Sequence, residues 1–538
     1  MTSFPITRRD ALAGSLAAGI GLPLSGGFAL AATLDSAGLQ YGPSRPFSFD
    51  ILKGDAEARA REPFGSLESP YAAILQEIDY NAFFKIVFKK QDSLWVDAPA
   101  GAPIQLFHLG RYCKEPCSIG VVEDGTAREI LYRQFYFDMP ADHVARQLPD
   151  NVGFAGFRAM SEDQVWDWMS FLGASYFRTP GSGRQYGMSA RGLAIDTGLS
   201  SGEEFPRFTQ FWLEAVPGSR DAVTVYALLE SQSVTGAYRF ACTHPGKVVM
   251  DVELALYPRK PIQRLGIAPL TSMFWYGEEI RAAAVDWRPE IHDSDGLSMW
   301  TGSGERIWRP LNNPASVMTN SFQDENPKGF GFLQRDRAFD HYEDDSVYYN
   351  RRPSLWVEPL GSWGKGAVQL VEIPTMDEIH DNVVAYWVPE APIVPGTPVT
   401  LSYRLHWADD EPDPAKIGTV VQNFIGVGGN PGEEHQPANL HRIVVDFRGG
   451  RLGEYGPDDG VQAIASASRG AILRHDCYPV QGGSDLFRTV IDLQAAGTEP
   501  VDLRLFLQAD GAAVTETWLA QYFPDDPRIP KAFQANKM

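Results

Sequence analysis

The chain is short of cysteine, of positive charge and of long apolar runs, and each shortage closes off a class of function. Only four cysteines, Cys113, Cys117, Cys242 and Cys477, occur in 538 residues. Four cannot make a disulfide framework for a chain this long, so stability must come from hydrophobic cores. Cys113 and Cys117 are spaced for one short local bridge or for two separate thiols. No second Cys/His pair answers them, which argues against a metal site there. Basic residues number 47 against 68 acidic ones, a formal charge of -21. Such a chain repels phosphate backbones, so nucleic acid is not an expected partner. After the N-terminal segment no stretch approaches the ~18 uninterrupted apolar residues of a spanning helix, so no stable membrane insertion is expected.

Several catalytic signatures are missing as well. Gly302-Ser303-Gly304-Glu305 lacks the lysine and the strand–helix setting of a phosphate loop. No Gly-x-Ser-x-Gly elbow supports a serine hydrolase. His435 and His441 lack the spacing of a metalloprotease pair. The acidic run at 409–413 and Asp458-Asp459 lack the ligand spacing of a calcium loop and read as solvated turns. No metal and no organic cofactor is expected.

What is present begins with an export signal. Thr7-Arg8-Arg9-Asp10-Ala11-Leu12 is a twin-arginine-like core, followed by a Gly/Ala-rich, moderately apolar stretch and a small-residue cleavage site at Ala29-Leu30-Ala31. The reading predicts a signal peptide over 1–31 and delivery to the periplasm by the twin-arginine route, with an ordinary Sec signal as the alternative.

The 51 glycines and 39 prolines punctuate segments with the period of two expected for half-buried strands. Val248, Met250, Val252, Leu254 and Leu256 alternate with mostly polar neighbours, as do Val399, Leu401, Tyr403, Leu405 and Trp407, and Val501, Leu503, Leu505 and Leu507. The pattern predicts an all-β protein of stacked antiparallel sheets. Helix signals are few. Ser69-Pro70 before Ile74, Leu75 and Ile78 predicts one short helix. Ser161-x-x-Gln164 reads as a capping box before Val165, Trp168, Met169 and Leu172. The prolines of 391–398 predict a stiff linker. It would separate a large β domain over 32–390 from a small immunoglobulin-like sandwich over 399–528, with a tail over 529–538.

Two acidic clusters bracket a run rich in Trp, Tyr, Gly and Pro. One is His292-Asp293-Ser294-Asp295; the other is Asp377-Glu378-Ile379-His380-Asp381-Asn382. Paired carboxylates among aromatic rings suit glycosidic-bond chemistry: one carboxylic acid protonates the leaving oxygen, and a second carboxylate activates water or acts as nucleophile. Aromatic faces offer apolar area and a polar tip to sugars. Of Trp300, Trp308, Trp356, Trp363 and Trp387, most should be core and a minority platforms. Glu203 and Glu204 are as well suited to pairing with Arg191 or Arg207 as to binding sugar.

Many phrases, in order, resemble one family. They include Leu172-Gly-Ala-Ser-Tyr-Phe177-Arg178, Tyr186-Gly-Met-Ser-Ala-Arg191, Leu265-Gly-Ile-Ala-Pro-Leu-Thr-Ser-Met273-Phe, Trp308-Arg-Pro-Leu-Asn-Asn313-Pro, Asn326-Pro-Lys-Gly-Phe-Gly331 and Trp363-Gly-Lys-Gly366. Together they resemble the periplasmic glucan biosynthesis proteins G and D, over nearly the whole chain after the signal. Arg352-Pro-Ser-Leu-Trp356 and the ending Glu516-Thr-Trp-Leu-Ala-Gln-Tyr522 resemble the D branch. The resemblance implies a galactose-mutarotase-like β-sandwich followed by an immunoglobulin-like domain, and a dimer. It implies action on β-1,2-glucan, by inverting hydrolysis or by transglycosylation. It places the general acid on Asp381 and the general base on Asp293, acting through a relay. Tyr349, Glu378, His292, Arg352, Trp300, Trp356 and Trp363 become candidates for relay or substrate contact. The rival reading is a non-catalytic glucan-binding or assembly factor.

Overall fold

The computed structural model describes residues 38–65, 69–244, 246–430, 432–433 and 437–526. The expected signal peptide, the tail over 529–538 and His435 lie outside the described residues. The protein is all-β: many strands, few helices, several sheets. Among the described residues no helix is long and apolar enough to cross a membrane. The chain divides into two compact units, Met1–Pro269 with Tyr386–Trp407, and Leu270–Ala385 with Ala408–Met538.

In the first unit one sheet runs Arg45–Pro46, Thr126–Glu129, Ser118–Glu123, Arg207–Ala215, Ala222–Glu230, Val234–Thr243, Val248–Pro258 and Val399–Ala408. Only Ser118–Glu123 against Arg207–Ala215 is parallel among the neighbours in this order. Two segments legible by their alternation pair with each other here: Met250 lies opposite Leu405, Val252 opposite Tyr403 and Leu254 opposite Leu401. These six side chains do not all point to water: Met250, Val252, Leu254, Tyr403 and Leu405 are buried. On the other face Asp251 takes Arg404 at 2.5 and 2.9 Å. Period two thus sorts core from solvent on a single strand pair.

A second sheet, built from Ile104–Phe107, Gly156–Met160, Asp167–Leu172, Tyr176–Arg178 and Ser189–Arg191, stacks on the first through rings. Phe157, Phe171 and Phe177 stack in a row at 5.1 and 4.9 Å. They meet Phe211 and Phe240 edge-on at 5.2 to 5.6 Å. Edge-to-face geometry places positive ring edges on negative faces and adds to the area buried. Helix Phe49–Ala60, capped by Ser48, lays Leu52 and Ala56 on Trp212, Leu228 and Ala237. Glu203 pairs with Arg191 at 2.6 Å, and Glu204 accepts from Ser233 N at 2.8 Å, so both serve structure.

Two local expectations meet different outcomes. The Ser69-Pro70 signal does precede a helix, Ala72–Glu77, with Leu75 and Ile78 buried. The Ser161 capping box does not. Residues 161–166 form the turn between strands Gly156–Met160 and Asp167–Leu172. Ser161 N and Oγ donate to Trp166 O at 2.8 and 2.9 Å, and Gln164 adopts φ +53°. The hydroxyl serves the hairpin instead of a helix terminus. The proline-rich segment 391–398 lies inside the first unit, where Ile262 N donates to Ile393 O at 3.2 Å.

The second unit is also layered. One sheet runs Ser354–Leu360, Gly329–Leu333, Gly296–Trp300, Arg306–Pro310, Thr517–Tyr522, Val501–Ala509 and Gln462–Ala467. A four-stranded sheet runs Thr419–Val427, Leu440–Arg448, Leu486–Gln494 and Ala471–Pro479. Ile443, Val445, Phe447, Phe487 and Ile491 of the latter share a core with Leu503, Leu505, Leu507 and Trp518. The expected alternation of Val501 to Leu507 is therefore met, with all four side chains buried.

Phe171 sits at the centre of the ring stack and is wholly buried. Phe171→Ala is expected to lower stability by about 3–5 kcal/mol, read as a shift in the denaturant midpoint at unchanged slope.

Candidate functional site

The two acidic clusters are held by one short piece of backbone, Ser272-Met273-Phe274. Phe274–Tyr276 pairs with Ile291–His292, Phe274 lying opposite His292. One residue on, Asp293 N donates to Met273 O at 2.8 Å. From the other side Asn382 N donates to Ser272 O at 3.0 Å. The Asn382 amide then does what a strand would do: Oδ1 accepts from Phe274 N at 2.8 Å, and Nδ2 donates to Phe274 O and Ile373 O, both at 2.9 Å. Ser272 and Ser294 close the frame with their hydroxyls 2.6 Å apart. Asp293 by its own N–H, and Asp381 through its neighbour Asn382, are thereby tied to one segment, 272–274, though remote in sequence.

Around this frame a chain of charges runs through loops. Arg352 ion-pairs with Asp293, both side chains essentially without exposed surface. The Arg352 guanidinium stacks on the Tyr349 ring at 4.0 Å and donates to Val347 O at 3.3 Å. Tyr349 OH donates to Glu378 Oε2 at 2.5 Å. The same oxygen accepts from Arg288 Nη1 at 2.9 Å, and Arg288 Nη1 also reaches Asp344 Oδ2 at 2.7 Å. Asp344 Oδ1 in turn accepts from Ser346 N and Val347 N at 2.9 and 2.8 Å. Burial works against charge on Arg288, but hydrogen bonds to Asp286, Glu378 and Asp344 outweigh it and raise its affinity for the proton. On Arg352 burial dominates and lowers it, against the opposing fields of Tyr349, Asp344, Glu378 and Asp381. Even so, arginine keeps its proton in proteins. Asp381 is half-buried, while Asp293 has no exposed surface.

His292 faces away from this chain into a second group of acids. Its Nε2 lies 3.1 Å from Glu290 Oε2 and its Nδ1 lies 3.1 Å from Gln334 Oε1. Both ring nitrogens face acceptors, which requires both to donate and so favours the imidazolium. Burial alone would lower its pKa; the Glu290 hydrogen bond and the charges of Asp295 and Glu278 prevail and raise it to about 9. Gln334 Nε2 donates to His292 O and Tyr349 O at 3.2 and 3.1 Å, tying the two groups together. A cleft with about 420 Å³ of empty space, its mouth included, is lined here by Glu278, Glu279, His292, Asp295, Trp308 and Arg335 among others. Burial first, then Asp336 and Glu290, hold Asp295 up at about 6. Burial, then Glu290, hold Glu278 up at about 8. Among the described residues Glu290, Asp336 and His341 bring ligand atoms within 4.8 Å of one another, the only such metal-competent trio.

Of the residues singled out in the sequence, the structure gathers Asp293, Arg352, Tyr349, Glu378 and Asp381 in one electrostatic neighbourhood, with His292 beside it. The three tryptophans stand elsewhere. Trp356 lies in the core of the second unit, where Gly329 and Gly331 make room for its indole. Trp363 is buried. Trp300 is half-buried under the Arg306 guanidinium at 3.6 Å and Lys328 at 5.0 Å. Two cations thus already lie against its ring. Sequence reasoning missed Arg288, Asp344 and Gln334. The one available signal was Arg288 standing four residues before His292 in an otherwise acidic stretch.

Two outcomes follow from the buried charges. Removing only Arg352 (Arg352→Met) leaves Asp293 buried and uncompensated and should cost about 3–5 kcal/mol, whereas Asp293→Asn/Arg352→Met should lose less than the two single changes summed; chemical denaturation reads both. The folded protein holds protons on His292, Glu278 and Asp295 more tightly than the unfolded chain. Their contribution is full at low pH and is lost as pH rises through about 6, 8 and 9 in turn. The melting temperature should therefore fall between pH 6 and pH 9, and Glu278→Gln, which cannot titrate, should make that fall shallower.

Comparison with known proteins agrees with these phrases and this fold. Residues 47–522 match the family described as "Periplasmic glucan biosynthesis protein, MdoG". The chain is 50% identical over 504 residues to "Glucans biosynthesis protein D 2" of Ralstonia nicotianae, covering 91% of this chain and 93% of that one. It is 48% identical over 482 residues to "Probable glucans biosynthesis protein D" of Shewanella oneidensis, covering 89% of each. It is 46% identical over 496 residues to "Glucans biosynthesis protein D" of Stenotrophomonas maltophilia, covering 91% and 92%. With its two β units and a match spanning almost all described residues, the chain belongs to the periplasmic glucan biosynthesis protein family.

Proposed function

We propose that the protein is exported to the periplasm by the twin-arginine route and acts there on the β-1,2-glucan backbone, as an inverting glycoside hydrolase or transglycosylase. The observation that carries this reading is that the segment 272–274 holds both Asp293, by its own N–H, and the loop of Asp381, through the neighbouring Asn382, with Arg352 in the field of both acids. Asp381, half-buried, is the general acid: its carboxyl proton passes to the glycosidic oxygen as the bond from C1 to that oxygen breaks. An oxygen nucleophile attacks C1 from the opposite face and sheds its proton. Asp293 is the sink for that proton. A carboxylate without exposed surface cannot touch the attacking oxygen, so the proton must reach it through intervening groups. Arg352 balances the Asp293 charge in their buried ion pair.

Tyr349 and Glu378 complete the reading as positioning groups. The Tyr349 ring supports the Arg352 guanidinium, and its hydroxyl is spent on Glu378. Water as nucleophile gives hydrolysis; a sugar hydroxyl in the same place gives transfer. No step needs a metal or a cofactor.

Incubation of the mature protein with linear β-1,2-glucan tests the assignment. Shorter or rearranged chains should appear, and Asp381→Asn should slow their formation by roughly 10²–10⁴-fold while glucan binding persists. Unchanged glucan, bound but uncut by the native protein, would instead make the protein an assembly factor.

A further inference from the structure

Of the thirteen tryptophans, twelve are buried or half-buried and one is not: Trp287 exposes 73% of its surface. The exposure is imposed by its neighbours. Asp286 Oδ1 accepts from Arg288 N and Nε at 3.0 and 2.9 Å, and Asp286 Oδ2 accepts from Arg288 Nη2 at 3.1 Å. Residues on either side of Trp287 are thus clasped together, and the indole between them has nowhere to go but outward. Tyr276 OH donates to Arg288 O at 3.0 Å and fastens the turn to strand Phe274–Tyr276. Arg288 Nη1 fastens it to Glu378 and Asp344. The Glu378 loop presents a second exposed apolar side chain, Met376, 79% exposed. That loop is held by Asn313, whose side chain bonds Trp275 O, Thr375 O and Thr375 N at 3.1, 2.9 and 2.9 Å.

An exposed indole offers apolar area that a ligand can cover. This one stands on a turn fixed by the Asp286–Arg288 clasp, two links, Arg288 and Glu378, from the Tyr349–Arg352–Asp293 chain. A rigid aromatic face with few torsions to freeze binds at low entropic loss. Its apolar face and polar edge match the CH-rich face and hydroxyl rim of a hexose. We propose that Trp287 is a stacking platform for a glucosyl unit of the bound chain, outside the pair whose bond is cleaved, and that it sets a preference for longer chains. The inference rests on the glucan-acting reading above and adds a residue that the sequence did not reveal.

The test uses the mature protein with linear β-1,2-glucans of two lengths, one polymeric and one only a few units long. Trp287→Ala should raise KM and the dissociation constant for the polymer about 3- to 10-fold, and less for the short chain, with kcat moving less than KM. Trp287→Phe should recover most of the loss. Iodide quenching of native fluorescence should weaken when polymer is added, and Trp287→Ala should remove that protected component. If Trp287→Ala leaves polymer affinity unchanged while Asp381→Asn still abolishes turnover, the platform is wrong and the catalytic reading stands. If the native protein binds without turnover and Trp287→Ala weakens that binding, the platform stands without the chemistry. If Trp287→Ala changes only the sedimentation coefficient, the indole is a subunit contact and the inference fails. If the native protein neither binds nor cuts glucan, both readings fail.

Discussion

Everything in the candidate site depends on a side-chain amide acting as backbone. Asn382 gives Phe274 a donor and an acceptor, the pair that an adjacent strand would supply. Without it, Phe274 N and O would be buried polar groups lacking partners on that side. With it, the Asp381 loop is locked to the same segment that receives Asp293 through Met273 O. Long-range placement of the two acidic loops thus reduces to a handful of hydrogen bonds to the segment 272–274. That economy explains why loops, and not regular strands, can hold the constellation firmly.

Electrostatics then separates the site into two regions of different character. On one side, arginines 288 and 352 answer Asp286, Asp344, Glu378 and Asp293, and the charges are matched in short contacts. On the other, carboxylates outnumber cations around the cleft, and protons make up the difference: Glu278 and Asp295 hold theirs to higher pH than usual, and His292 carries a charge. Gln334, wholly buried, joins the two regions without adding charge to either. Matched charges in one region and shared protons in the other are two different ways to hold acids in a crowded fold.

How much of this could be read beforehand differs by kind of feature. Strands with strict alternation were legible, because period two is set by the pleat itself: Val248 to Leu256 and Val399 to Trp407 pair as their patterns require. The Ser161 signal misled because a serine hydroxyl three residues before a glutamine serves a hairpin turn as readily as a helix start, and only the φ of Gln164 distinguishes them. Asp293 and Asp381 stood out as parts of acidic clusters, but their proposed roles came from the family resemblance and not from spacing, since loops carry no period. Arg288 and Asp344 escaped for the same reason. Tryptophans were misjudged in both directions: Trp356 fills a core next to glycines, and Trp287, never singled out, is the exposed one. Burial of a large ring is decided by tertiary neighbours, which composition does not encode.

The Asn382 clamp also depends on its side chain staying an amide. Hydrolytic loss of ammonia from this amide would convert the Nδ2 donor into an oxygen facing Phe274 O and Ile373 O. Three acceptors would then crowd where one proton pair had bridged them. A single ageing event, adding less than one dalton, would turn the rivet between the two acidic loops into a wedge.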